Sequence, residues 1–562
     1  MRNKIGALLL ALTPLLLLPA CGGSGDPTEV QTTHGKVVGT DDRASSTYRW
    51  LGIPFAKPPT GELRWKAPVD PEPWSGTREA RAFGNACMQH GRIYGPGANN
   101  RYDDTIATTL NTPVGSEDCL TLNIWRPRTA DRNLPVVYFI YGGSNVSGYT
   151  ADPLYDGAKL ANAANAVVVT ANYRVGIFGW YRLPQLASGN ALDDSGNYGT
   201  LDTVKALRFI HDNIARFGGD PDNVTVMGQS AGAVNVYALM VSPQTVGQNL
   251  MHRAVPISGG ISANAVPLPS VNPVATHETY ARSLLHQLLI GDGLAADAAT
   301  AAAWVAGKSN AEVATYLRGK SAASIISRAV ATVQFPAGAP IPEGTVVPVD
   351  PVAAIRAGNY NKVPVLAGNT RDEGKLFGGI AGPGLTSLYA KTDAQRFMDM
   401  KNYTPDAPNT ALADQIIAAA LPVTTPVTGY NAATSFLGNL IFIPPRDDVL
   451  NALKAQQAGV WYYMFNWDEE PAPWNDVYGA AHAFDLPFLF GNFEQPSVFS
   501  NTIGGSANAG GRLALSEAMM ASLASFARDG DPNNARLGVD WPAWPKVLTF
   551  DATPAAKQIG VQ

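Results

Sequence analysis

Short apolar runs punctuate the chain between segments with helical spacing. LPVVYFI (134–140), AVVVTANY (166–173), RAVPIS (253–258), KVPVLAG (362–368) and GVWYYMFNW (459–467) read as buried strands. A strand covered on both faces needs a continuous apolar run rather than alternation. Val224, Val226 and Met227 read as the end of another. In TLDTVKALRFIHDNIARFGG (200–219), Leu201, Val204, Leu207, Ile210 and Ile214 recur at steps of three or four, and Gly218 with Gly219 stops the helix. LALSEAMMASLASFARDG (513–530) reads as a last helix, ended by Gly530. Strands alternating with helices predict an α/β fold with a mostly parallel sheet covered on both faces. Two helical stretches, 275–327 and 377–440, interrupt the sheet pattern and are expected to cover part of a site. With no internal repeat and no later boundary, residues 36–562 are expected to form one large domain.

Composition narrows the partners. The 562 residues are 46% hydrophobic and 15% charged, enough for a large core. A net charge of -5 with no long basic run argues against nucleic acid. At the N-terminus, Arg2 and Lys4 precede an apolar stretch from Ile5 to Leu18, which is short for a bilayer span and has the shape of a secretory signal. Ala20 before Cys21 resembles the bacterial lipobox, in which the cysteine is lipidated; Pro19 is unusual there, and plain secretory cleavage is the other reading. Residues 1–20 are therefore expected to be a signal peptide and 21–35 a flexible tether. Membrane contact is expected only through a lipid on Cys21, on an exported periplasmic, outer-membrane or secreted protein. Export leaves Cys87 and Cys119 as an even pair in an oxidising compartment, which favours a disulfide. No Cys/His cluster has metal-ligand spacing, so no metal site is expected.

The candidate chemistry begins at VTVMGQSAGA (224–233). A single hydroxyl, Ser230, sits among Gly228, Ala231, Gly232 and Ala233 where a strand gives way to a helix. A sharp strand-to-helix turn lifts its central side chain clear of the sheet and demands small neighbours, so Ser230 is a candidate nucleophile. In this type of turn the base follows the nucleophile and acid in sequence. Of the seven histidines only His252, His277, His286 and His482 follow Ser230, and only His482, in YGAAHAFDLPF, lies on a Gly/Ala-rich loop after a strand. The acid then falls between them. VPVLAGNTRDEG puts Asp372 and Glu373 on one turn, and spacing does not separate the two. FIYGGSNVSG (139–148) follows a strand, so the N–H groups of Gly143 and Ser144, with Ala231, are candidates for an oxyanion hole.

Taken together, these segments resemble the type B carboxylesterase and cholinesterase family of the α/β-hydrolase fold. The likeness runs through GIPFAKPPTGELRW (52–65), SEDCLTLNIWRP (116–127), GNTRDEG, HAFDLPFLFG and FARDGDPN, in family order. The resemblance implies Ser230 as nucleophile, Glu373 as acid and His482 as base, an oxyanion hole at Gly143, Ser144 and Ala231, and the Cys87–Cys119 pair. Ser258 matches a position that supports the acid. No cofactor is implied. Two departures stand out. Ser144 replaces a usual glycine, and Gln229 replaces a usual glutamate before the nucleophile. The loop between Cys87 and Cys119 also lacks a tryptophan, so a quaternary ammonium ligand is not expected. The expected activity is hydrolysis of small-molecule esters, with aromatic or polymeric esters (polyesters among them) as further candidates. A non-catalytic binding or adhesion protein on the same fold is the rival reading.

Overall fold

The computed structural model describes residues 26–262, 273–332, 338–379, 387–418, 429–494, 497 and 499–562. The signal segment and Cys21 lie outside them. An eleven-stranded sheet runs through the domain: β1 (Thr40–Asp42), β2 (Thr47–Pro54), β3 (Thr121–Pro127), β4 (Leu134–Ile140), β5 (Val167–Ala171), β6 (Gly219–Gln229), β7 (Arg253–Ile257), β8 (Val365–Thr370), β9 (Val460–Phe465), β10 (Leu548–Ala552) and β11 (Lys557–Val561). Its order is β1-β2-β3-β5-β4-β6-β7-β8-β9-β10-β11. The seven strands from β5 across to β10 are parallel to their neighbours, and antiparallel strands finish both edges.

The predicted apolar runs fall on the parallel strands because both faces are covered. Tyr198–Asn213 (α1) and Ala231–Val241 (α2) pack together and against β6, whereas Ala509–Asp529 (α4) packs with the helix at Ala158–Ala164 against β4, β6 and β10. Gly218 and Gly530 end their helical segments with positive φ, as expected of glycine there.

Strand order reverses at β4, which has β5 on one side and β6 on the other. Loops leaving such a switch point diverge and open a crevice at the carboxyl ends of the strands. Register puts the candidate segments there. Ile140 pairs with Gly228, Gln229 with Ile257, and Ile257 with Gly368. The chain just beyond these residues carries Gly143, Ser230, Ser258 and Glu373 to one edge of the sheet.

The helical insertions behave differently from one another. Gly429–Lys454 (α3) lies over the turn at Glu373–Phe377. The helices between Val274 and Thr332 instead form a separate apolar cluster with Trp65, Phe178 and Tyr181, and no residue lining the cleft described below comes from them. The expected tether also ends earlier than residue 35. Glu29–Gln31 pairs with Lys36–Val38, Val30 and Thr32 are buried, and Thr32 accepts and donates within its own turn, so residues 26–35 are part of the fold. Among the described residues no helix is long and apolar enough to cross a membrane.

Cys87 and Cys119 form a disulfide with Cα atoms 5.0 Å apart. Reducing it, or replacing both residues with serine, is expected to lower the unfolding free energy by roughly 3–4 kcal/mol on the chain-entropy model. Urea denaturation of the oxidised and reduced protein measures this; coincident curves would contradict it.

Candidate active site

Ser230 links β6 directly to α2 with φ 59 and ψ -125, a conformation that an L-residue adopts only at a cost in strain. Its neighbours are small for a measurable reason. A Cβ on Gly228 would lie 2.4 Å from the Gly232 carbonyl oxygen, and one on Gly232 would lie 2.1 Å from that of Ile140. The Ser230 N–H donates to Ile257 O at 2.8 Å, which ties the turn to β7. The hydroxyl faces a cleft that His482 also lines.

His482 is 3% exposed and Glu373 5%. Nδ1 of His482 hydrogen-bonds to Oε2 of Glu373. The other carboxylate oxygen accepts from Asn369 Nδ2 at 2.8 Å and from the Thr370 N–H at 2.9 Å. Burial works to raise the Glu373 pKa, but the electrostatic interaction and hydrogen bond with His482, helped by Ser258 and the Thr370 N–H, hold the carboxyl below its ordinary 4.5. Glu373 is therefore an anion whose lone pairs are largely committed. Ser258 is fully buried beside it, although no hydrogen bond of ordinary geometry joins the two. The geometry separates the two acids that spacing left open. Asp372 turns to Arg371 Nη2 at 2.8 Å and to the Ala480 N–H at 3.2 Å, while the Asp372 N–H donates to Ala480 O at 2.8 Å. Asp372 thus ties the acid turn to the histidine loop.

Nε2 of His482 lies 3.0 Å from the amide nitrogen of Gln229. An amide nitrogen only donates, so Nε2 accepts and the ring proton sits on Nδ1, facing Glu373. That is the tautomer a base needs. Its lone pair is held by Gln229, the residue next to Ser230, rather than by Ser230 itself. Phe377 and Phe442 pack on the imidazole with centroids 4.9 Å away in both cases. Phe377 follows the acid turn and Phe442 comes from α3. Their approach depends on glycines, since a Cβ on Gly374 would stand 1.9 Å from Thr434 O.

The loop after β4 turns through three consecutive left-handed residues, Gly143 at φ 97, Ser144 at 57 and Asn145 at 56. Gly143 O accepts from Val146 N at 3.1 Å and Asn145 O from Gly176 N at 2.6 Å. Among the described residues the N–H groups of Gly143, Ser144 and Ala231 have no protein acceptor. The loop is held from behind. Gln89, two residues past Cys87, accepts from Gly148 N and donates to Gly148 O, both at 2.9 Å. Asn145 exchanges hydrogen bonds with Asn235 of α2, the shorter at 2.9 Å. Ser144 keeps the backbone form expected of the usual glycine, at roughly 1–2 kcal/mol for a non-glycine residue at positive φ.

These elements converge on one cleft, open to solvent at its mouth. Gly142, Gly143, Ser144, Gln229, Ser230 and His482 line it together, with Tyr94, Leu376, Phe377 and Phe499. Phe377, Phe442 and Gln89 were not legible as site residues, because nothing in their local spacing marks them. Such a cleft holds a hydroxyl on a strained turn, an oriented imidazole, a buried carboxylate and free N–H groups, the parts that acyl transfer requires.

Comparison with known proteins agrees with this chemistry. The model of the Carboxylesterase family matches residues 26–559. The chain is 31% identical to the para-nitrobenzyl esterase of Bacillus subtilis over 92% of each chain. It is 31% identical to the fumonisin B1 esterase of Sphingopyxis macrogoltabida, over 97% of this chain and 91% of that one. Among solved structures, the carboxylesterase Est55 of Geobacillus stearothermophilus superimposes with a TM-score of 0.71 at 29% identity, covering 95% of this chain and 98% of that one.

A second buried carboxyl, Asp485, sits three residues beyond His482. It is fully buried and accepts from the Tyr463 hydroxyl at 2.7 Å, while its Oδ1 has no partner. Burial pushes its pKa up to about 7, the Tyr463 hydrogen bond opposes this, and the Glu373 charge adds to the rise. A carboxyl raised in the native state binds more protons folded than unfolded, so it costs stability as pH rises through that range. Asp485→Asn is expected to raise the melting temperature at pH 8 by a few degrees and to lose that advantage at pH 5. Thermal scans at the two pH values check this; an equal shift at both would contradict it.

Proposed function

This chain belongs to the carboxylesterase family, has the α/β-hydrolase fold and is a carboxylic ester hydrolase; from that premise we propose that Ser230, His482 and Glu373 are its nucleophile, base and acid. The observation that carries the assignment is the Glu373–His482 pair, buried at the wall of the cleft that Ser230 enters on its left-handed turn.

The reaction starts when the Ser230 hydroxyl replaces the neighbouring Gln229 amide at Nε2 of His482, a side-chain exchange within one turn. Such contacts commonly tighten only once substrate is bound. Ser230 Oγ attacks the ester carbonyl carbon and its proton passes to Nε2. Glu373 stays ionised and stabilises the imidazolium through Nδ1–H. The N–H groups of Gly143, Ser144 and Ala231 receive the oxyanion, each donor of this kind being worth about 2.7–4 kcal/mol of barrier. Collapse breaks the ester C–O bond, and Nε2 returns the proton to the departing alcohol. Water, deprotonated by the same nitrogen, then attacks the acyl-enzyme, releasing the carboxylic acid and restoring Ser230.

An apolar N-terminal leader together with a disulfide supports export, with lipidation at Cys21 as the anchoring route. A cleft open at its mouth suits small esters; an aromatic polyester would enter through one exposed ester unit. The adhesion-protein alternative is set aside, since the chain is a hydrolase by family.

Ser230→Ala is expected to reduce kcat for p-nitrophenyl acetate by at least about 10³-fold, in line with loss of a triad nucleophile. Steady-state kinetics on the folded variant measures it. Undiminished turnover would reject Ser230 as the nucleophile.

A further inference from the structure

The cleft around Ser230 carries charged side chains that ester hydrolysis does not need. Besides its aromatic walls it is lined by Arg92, Arg396, Asp393 and Asp152. Three of these are already committed. Arg396 is buried, donates from Nη2 to Asp393 Oδ1 at 2.5 Å, and has its guanidinium 4.1 Å from the centre of the Tyr389 ring. Asp393 is therefore engaged by Arg396. Asp152 turns back on its own segment, accepting from the Leu154 N–H at 2.9 Å, and burial raises its pKa to about 6.

Arg92 has no such partner. Among the described residues its guanidinium makes no hydrogen bond and no ion pair, and the half-buried side chain lines the cleft. Burial is the main influence on it and lowers its pKa; Asp393 and then Tyr94 oppose this. Asp393, whose charge acts on Arg92 from a distance, is already held by Arg396. A guanidinium keeps its proton and presents five donors in a planar fork. Left to water in the free cleft, such a fork is open to a carboxylate, which meets it with two parallel hydrogen bonds. Neutral esters offer no such group.

We propose that Arg92, supported by the Arg396–Asp393 pair, is an anion subsite of the substrate cleft, and that the preferred substrates are esters carrying a free carboxylate. The proposal deepens the function proposed above and rests on it. It assigns Arg92 a role in choosing substrate, not in the chemical step. Gly379 helps to keep the subsite open, because a Cβ there would lie 3.0 Å from Arg396 Nη2.

The test is a ratio of kcat/KM values for matched esters. One pair varies the alcohol side, 4-acetoxybenzoate against its methyl ester. The other varies the acyl side, monoethyl glutarate against diethyl glutarate. The wild type is expected to favour the anionic member of at least one pair, and Arg92→Gln to lower that ratio at least tenfold, with Arg92→Lys intermediate. If the wild type favours neither anionic ester, or if Arg92→Gln leaves the ratio within twofold, the subsite is rejected. Should the variants not fold, the wild type decides the matter. Glutarate is then expected to inhibit neutral-ester hydrolysis competitively, less so at high salt, while glutaramide does not. No difference between glutarate and glutaramide would overturn the proposal. Hydrolysis of the neutral esters that disappears in Ser230→Ala keeps the catalytic assignment standing even if the subsite fails.

Discussion

The close crossing of β6 and α2 at Ser230 is the constraint on which the rest depends. Strand and helix meet so tightly that a methyl group on Gly228 or Gly232 would collide with backbone oxygen. That contact forces Ser230 to positive φ and aims its hydroxyl out of the sheet. The same turn starts α2, so the Ala231 N–H is left over as a donor at a helix N-terminus, where developing negative charge is favoured. One steric requirement therefore supplies both a hydroxyl turned toward the cleft and an N–H without a protein acceptor beside it.

The sheet does the rest through register. Neighbouring parallel strands end in step, so the loops after β4, β6, β7 and β8 arrive at one edge although they are far apart in sequence. Small polar ties then fix each loop. Gln89 holds the loop after β4 next to the disulfide, and Asp372 joins the acid turn to the histidine loop. The aromatic pair Phe377 and Phe442 limits rotation of the imidazole, while Gln229 occupies its free nitrogen. The departures at Ser144 and Gln229 have different consequences. Ser144 keeps the backbone turn at some strain. Gln229 changes the electrostatics, because a neutral amide stands beside the imidazole where a glutamate would add negative charge.

Much of this was legible in the sequence, for identifiable reasons. The parallel strands announce themselves as unbroken apolar runs, since burial on both faces leaves no room for polar residues. The elbow is legible because tight crossing permits only small side chains. Spacing did not separate Asp372 from Glu373, because adjacent residues on a turn differ only in direction. Contacts contributed by distant segments, such as Phe442 on the imidazole or Gln89 on the loop after β4, leave no local trace. The tether was read too long because Val30 and Thr32 pack as single residues in a polar stretch. The helices at 274–332 were expected near the site from their place in the chain, but their apolar face found Trp65 and Phe178 instead.

In the proposed reaction one hydroxyl, activated by one imidazole, becomes acylated in this cleft. Incubation with a p-nitrophenyl organophosphate, followed by intact-mass measurement and peptide mapping, tests it most directly. A single stoichiometric adduct on Ser230, released with one equivalent of p-nitrophenol and formed far more slowly in His482→Ala, is the predicted result. An adduct on another residue, or labelling at the same rate without the imidazole, would contradict the account.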